Sequence, residues 1–170
     1  MLDRITRSRG HTLTELLVMF GIVAVIAGAA APTFSKLLLD SRMNAAVTTA
    51  MHAANLARQF SATRSEAIRL CGSDDEQACT GRSDWSSGLL LADYGELFRR
   101  SLPLSGGNGA PSIRSNRAIV NFEGDSGFAS PATLTVCDRR GASAARAVII
   151  SRSGRPRVSE RDASDRPLAC

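Results

Sequence analysis

With 170 residues, 44% of them hydrophobic, and a mean hydropathy of −0.04, the chain has room for one modest folded head beside a single anchor, and for no second large domain. A formal charge of +5 and an isoelectric point of about 9.7 make the chain mildly basic rather than polybasic. Cys71, Cys79, Cys137 and Cys170 form no C-x-x-C pair and all follow the most apolar stretch, so they argue for disulfides in an exported domain rather than for a zinc site.

In chain order, Arg4, Arg7 and Arg9 come first, followed by a run without charge from Leu16 to Ser35. About 20 mostly apolar residues at roughly 1.5 Å rise each suffice for one bilayer crossing, and the arginines in front favour a cytoplasmic start. Glu15 stands at the edge of that run, where an ionised carboxylate costs several kcal/mol unless it is partnered. Beyond Pro32 no Gly or Pro occurs until residue 72, and Leu39, Met43, Val47, Ala50, Ala54 and Ala57 recur at helical spacing, with Met51, Leu56 and Phe60 widening the face. The spacing predicts that the helix continues to about residue 68 and packs on a sheet, with Arg42, Arg58, Arg64 and Arg69 in solvent.

Residues 71–84 are polar, and Asp74, Asp75 and Glu76 lack the spaced ligands of a calcium loop, so a solvated turn is expected. Spacing does not fix the disulfide connectivity; Cys71 with Cys79 closes this short loop and leaves Cys137 with Cys170 to tie down the tail. Strand signals follow at 85–92, 97–102, 118–123, 132–137 and 145–152, separated by Gly, Asn and Pro, with 104–113 a glycine-rich loop. The expected fold class is therefore α+β, a long N-terminal helix on an antiparallel sheet. Gly124, Asp125, Ser126 and Gly127 imitate a serine-protease nucleophile segment. The only histidines are His11 and His52, however, neither placed to serve a triad, and no phosphate loop, metal cluster or carboxylate pair supports an enzyme.

Chemistry concentrates near the C-terminus. Gly154 permits a turn, Pro156 fixes φ, and Arg155 and Arg157, two apart, leave one face of an extended chain, with Arg152 entering from the other limb. Guanidinium forks take phosphate oxygens bidentately without regard to base identity. Arg139, Arg140 and Arg146 rank second as extensions of the patch.

The order basic leader, Gly10, apolar core with Glu15 at its edge resembles a type IV prepilin leader. That resemblance implies cleavage after Gly10 by a prepilin peptidase, N-methylation of His11, pairing of Glu15 with the α-amino group of a neighbouring subunit, and a stem bent at Pro32. His11 stands where the family usually has Phe, and Thr14 where it has a larger apolar residue. Trp85 and Gly88 resemble the W-x-x-G strand entry of GspH/FimT-type minor pilins and pseudopilins, and Gly154-Arg155-Pro156-Arg157 matches the G-R-x-R motif of the FimT type.

The resemblance implies a type IV pilin-like fold divided into a leader (1–10), a transmembrane half-helix (11–35), an amphipathic half-helix (36–68) and a disulfide-bonded head (69–170). It also implies an inner-membrane protein with a periplasmic head that reaches the cell surface in a pilus. Its implied partners are the phosphate backbone of double-stranded DNA, other major and minor pilins, the peptidase and inner-membrane lipid, with no cofactor and no metal. The alternative is a structural minor subunit that primes a type IV pilus or a type II secretion pseudopilus without touching DNA.

Overall fold

The computed structural model describes residues 12–95, 98–104 and 109–170; the leader with Gly10 and His11 lies outside them, and of Pro32 only the backbone is described, within a helix. That helix, α1 (Leu13–Arg64), begins where the Thr12 hydroxyl accepts the Glu15 N–H at 3.3 Å and the Thr12 carbonyl accepts the Leu16 N–H at 3.2 Å. Thr12 thus caps the helix, and Glu15 in the first turn complements its positive end.

The chain forms two compact units, Met1–Leu38 and Leu39–Cys170. In the first, Leu13, Leu17, Val18, Phe20, Val25 and Ile26 are all exposed. No single unbroken helix among the described residues is long and apolar enough to cross a membrane; Leu13–Ala29 and Thr33–Arg64 meet that requirement together.

In the second unit Leu39, Met43, Ala46, Val47, Ala50, Ala53, Ala54 and Ala57 are buried, a stripe whose small side chains let the helix lie close to the sheets. α1 ends at Arg64, short of the expected residue 68. Ser65 adopts a left-handed φ of 55°, and Gly124 fits against it so closely that an added Cβ would stand 2.6 Å from the Ser65 carbonyl oxygen.

Two antiparallel sheets follow. β1 (Ile68–Gly72), β2 (Gly88–Asp93), β3 (Arg99–Pro103) and β5 (Ile119–Phe122) form one in the order β3-β2-β1-β5. β4 (Ser112–Ser115), β6 (Ala132–Cys137), β7 (Arg146–Ile150) and β8 (Pro156–Ser159) form the other in the order β4-β6-β7-β8. β1, β4 and β8 were not expected as strands, and β2 begins three residues after Trp85 instead of at it.

The inward residues Ile68, Leu70, Leu89, Leu91, Val120 and Phe122 of the first sheet share one core with Ile113, Leu134, Val136, Val148 and Ile150 of the second and with the helix stripe. Each such aliphatic side chain contributes about 1.5–3 kcal/mol on burial. Trp85 is fully buried among them, its indole N–H donating to the Arg82 carbonyl at 3.1 Å, with Gly72 against its ring.

Candidate nucleic-acid interface

β7 and β8 pair with Ile149 opposite Arg157 and Ile150 opposite Pro156, so Gly-Arg-Pro-Arg straddles the end of a hairpin at the sheet edge. The Gly154 N–H donates to the Ser151 carbonyl at 2.9 Å with Gly154 at φ +71°, which closes a β-turn followed by a left-handed residue. The Ser151 N–H and hydroxyl both donate to the Arg155 carbonyl, each at 3.1 Å, and fix where the second limb starts. Pro156 can open β8 because an edge strand has a side that no neighbour pairs. Arg157 lies opposite Ile149, which belongs to a small outer cluster with Cys137, Ala145, Ala147 and Leu168. Arg155 shares that outward face, and Arg152 occupies the turn.

Arg152, Arg155 and Arg157 are exposed, and none of them has an acidic partner among the described residues. The three carboxylates that follow the hairpin in the chain are engaged elsewhere. Glu160 meets Arg146 at 3.3 Å, Asp162 meets Arg166 at 2.8 Å and Asp165 meets Arg161 at 3.9 Å. Hydrogen bonds from the Arg166 and Ser164 N–H groups, with the Arg166 guanidinium, hold the Asp162 carboxyl below its ordinary value against the upward push of burial.

The hairpin tip rests on a floor that the sequence does not announce. A Cβ on Gly154 would run into the Gly127 carbonyl oxygen and stand 3.0 Å from Arg58 Cδ, while one on Gly127 would stand 3.2 Å from Arg58 Cγ. The Ala129 N–H donates to the Arg152 carbonyl at 2.8 Å and joins the same turn to the loop. The segment Gly124 to Gly127 is thus a tight turn, closed by the Gly127 N–H on the Glu123 carbonyl at 3.1 Å, and it carries structure rather than catalysis. Arg58, expected in solvent, is half-buried beneath the tip with no acidic partner among the described residues. Only the pairing of Gly127 with Gly154 across the fold would have revealed this contact.

The second-rank arginines separate. Arg140 reaches Asp138 at 2.7 Å and Asp40 of α1 at 2.6 Å, and its Nε donates to both Asp138 oxygens, so it clamps the end of β6 to the helix. Arg146 is held by Glu160 and by the Ala145 carbonyl at 3.0 Å. These two are committed to partners within the head, and Arg139 alone of the three is exposed without an acidic contact among the described residues.

Burial of the Asp138 side chain, 1% exposed, pushes its carboxyl up, but hydrogen bonds and charge from Arg140 outweigh this and hold it below the ordinary 3.8. A depressed folded value means stabilisation that is complete above the unfolded value and fades as pH falls through the folded one. Asp138→Asn is expected to flatten the pH dependence of the unfolding midpoint below about pH 4, and an unchanged acid limb would contradict it.

Both disulfides are formed. Cys71 and Cys79 are joined with Cα atoms 5.6 Å apart, and Cys137 and Cys170 with Cα atoms 5.8 Å apart. In the first loop Asp75 accepts the Gln77 and Ala78 N–H groups at 2.9 and 3.0 Å, which lowers its carboxyl and uses it as a turn residue. No cluster of metal-ligating side chains occurs among the described residues.

Solved structures share this architecture. Two crystal forms of the type IV minor pilin FimU of Pseudomonas aeruginosa strain PAO1 superpose with TM-scores of 0.50 and 0.51, each at 18% identity. They cover 77% and 82% of this chain and 98% and 99% of theirs, and at that identity the likeness is one of fold. No curated protein sequence matches the chain. The family model described as type II transport protein GspH matches residues 46–154, from the buried stripe of α1 through β1 to β7 and as far as Gly154, and ends before Arg155 and β8. With a long helix on antiparallel sheets and that match over most of its length, the chain belongs to the GspH family and has the type IV pilin fold.

Proposed function

We propose that this member of the GspH family is a minor pilin that binds DNA non-specifically by its phosphate backbone, for uptake in natural transformation. The observation that carries the reading is the set of three exposed arginines, Arg152, Arg155 and Arg157, on one hairpin, with the acids that follow it, Glu160, Asp162 and Asp165, paired with other arginines. Arg139 is a lesser contributor, and Gly154 sets the geometry. The proposal includes removal of residues 1–10, an N-methylated His11, Glu15 paired with the α-amino group of a neighbouring pilin, and a bend at Pro32. Before assembly residues 11–35 anchor the chain in the inner membrane, with residues 36–68 and the periplasmic head beyond; partners are prepilin peptidase, lipid and other pilins.

The test is a fluorescence-anisotropy titration of labelled duplex with the full chain in non-ionic detergent, at several salt concentrations. With about three phosphates engaged, log K should fall against log salt with a slope of about −2.7, from a dissociation constant on the order of 10⁻⁴ to 10⁻⁶ M near physiological salt. Arg155→Ala and Arg157→Ala should each weaken binding to all sequences alike and make the slope shallower by about 1, while Arg146→Ala changes little. Equal binding by wild type and both hairpin variants, or none at low salt by folded protein, defeats the reading. A structural subunit that primes a type IV pilus or type II secretion pseudopilus would then stand; of these two systems the family description names type II transport.

A further inference from the structure

Phe128 lies in the loop that floors the arginine turn, and its side chain is 50% exposed although nearly every other aromatic residue of the head is covered or partnered. Its backbone is pinned on both sides: the carbonyl accepts the Glu123 N–H at 2.7 Å and the N–H donates to the Ser126 hydroxyl at 3.2 Å. The next residue, Ala129, bonds the Arg152 carbonyl at 2.8 Å and bridges to Phe122. The ring is therefore carried on a fixed backbone immediately beside the turn. Among the described residues no guanidinium or second ring stacks on it; those contacts involve Phe60, Phe98 and Tyr94 instead.

Resting on the DNA reading above, we infer that Phe128 is a stacking platform and that the site prefers DNA with an unpaired base, in a single strand, an overhang or a frayed end, over continuous duplex. An exposed ring beside a phosphate-binding cluster is the combination by which single strands are held, since every base has a π face and that face is hidden within a duplex. The charges divide in the same way. Glu123 and Asp125 are exposed on the Phe128 loop and repel phosphate, whereas Arg152, Arg155 and Arg157 on the hairpin attract it. A strand crossing the tip can place its backbone on the arginines and turn a base toward the ring. Arginines alone would favour the duplex, whose charge density is higher.

The test uses the full chain in non-ionic detergent with a labelled mixed-sequence single strand, the matching blunt duplex, and that duplex with an overhang, for wild type, Phe128→Ala, Phe128→Leu, Phe128→Tyr and Arg155→Ala. The inference expects wild type to bind the single strand and the overhang at least about tenfold more tightly than the blunt duplex. Phe128→Ala and Phe128→Leu should erase that preference and leave duplex affinity nearly unchanged, because Leu keeps the apolar bulk without the flat face. Phe128→Tyr should retain it, and Arg155→Ala should weaken all three ligands. Equal wild-type affinity for single strand and duplex, or a loss in Phe128→Ala shared by every ligand, overturns the inference while the arginine reading stands. Binding of none of the ligands by folded wild type overturns both.

Discussion

Gly154→Ala is expected to destabilise the head by about 2–5 kcal/mol and to abolish measurable DNA binding at moderate salt. Two costs combine. A left-handed backbone costs an L-residue with a side chain roughly 1–2 kcal/mol, and Gly154 sits at φ +71°. The added methyl also meets the backbone carbonyl of Gly127, which cannot swing aside as a flexible side chain would, so the hairpin or the 124–127 turn has to shift at a further cost of about 1–3 kcal/mol. Because that shift moves Arg152 and Arg155 relative to each other, binding suffers even where the head stays folded. Denaturant unfolding beside the anisotropy titration checks both parts. A variant with wild-type stability would show that the turn lacks the contact described, and full DNA affinity in a destabilised variant would detach the tip from binding.

Cys170→Ser is expected to lower stability by about 3–4 kcal/mol, because the Cys137–Cys170 bridge closes 33 residues of chain and restricts the unfolded ensemble accordingly. The native side of the balance moves in the same direction. Leu168, 7% exposed, is held over Ala145, Ala147 and Ile149 by the tail that the bridge anchors, and releasing it uncovers that small cluster. Unfolding midpoints of wild type, Cys170→Ser and the Cys137→Ser/Cys170→Ser pair measure this, and coincident midpoints would remove the bridge from the account of stability. Cys71–Cys79 spans only 8 residues and should contribute less.

Much of the fold is legible in the sequence because it rests on local periodicity. The buried stripe from Leu39 to Ala57 repeats at helical spacing, and 132–137 reads as a strand with the bounds that β6 has. The misses have physical causes. β1 falls between the expected helix end at about residue 68 and the polar loop expected from residue 71, and the stop at Ser65 is a left-handed residue that is not glycine, so no local signal marks it. β4 is four residues with alternating burial beside a glycine-rich stretch, too short to show a period. β8 opens on a proline, a strand breaker everywhere except at an edge, and the edge is known only from the topology.

The candidate site divides in the same way. Arg152, Arg155 and Arg157 follow from a motif and its spacing. That Arg140 is instead a clamp depends on Asp40, which lies 100 residues away in the chain and meets it only after folding.

The contact of Gly154 with Gly127 and Arg58 also fixes how the hairpin bears a load. β8 is an edge strand, held by β7 alone along one side, and tension on the turn would open such a ladder one pair at a time. The floor gives tension a shorter path, from the tip through the 124–127 turn into α1, which bypasses the ladder. Should the ladder still yield, both limbs of the hairpin lie inside the covalent loop from Cys137 to Cys170, so its extension ends where that loop becomes taut and the pulled segment stays tethered to β6.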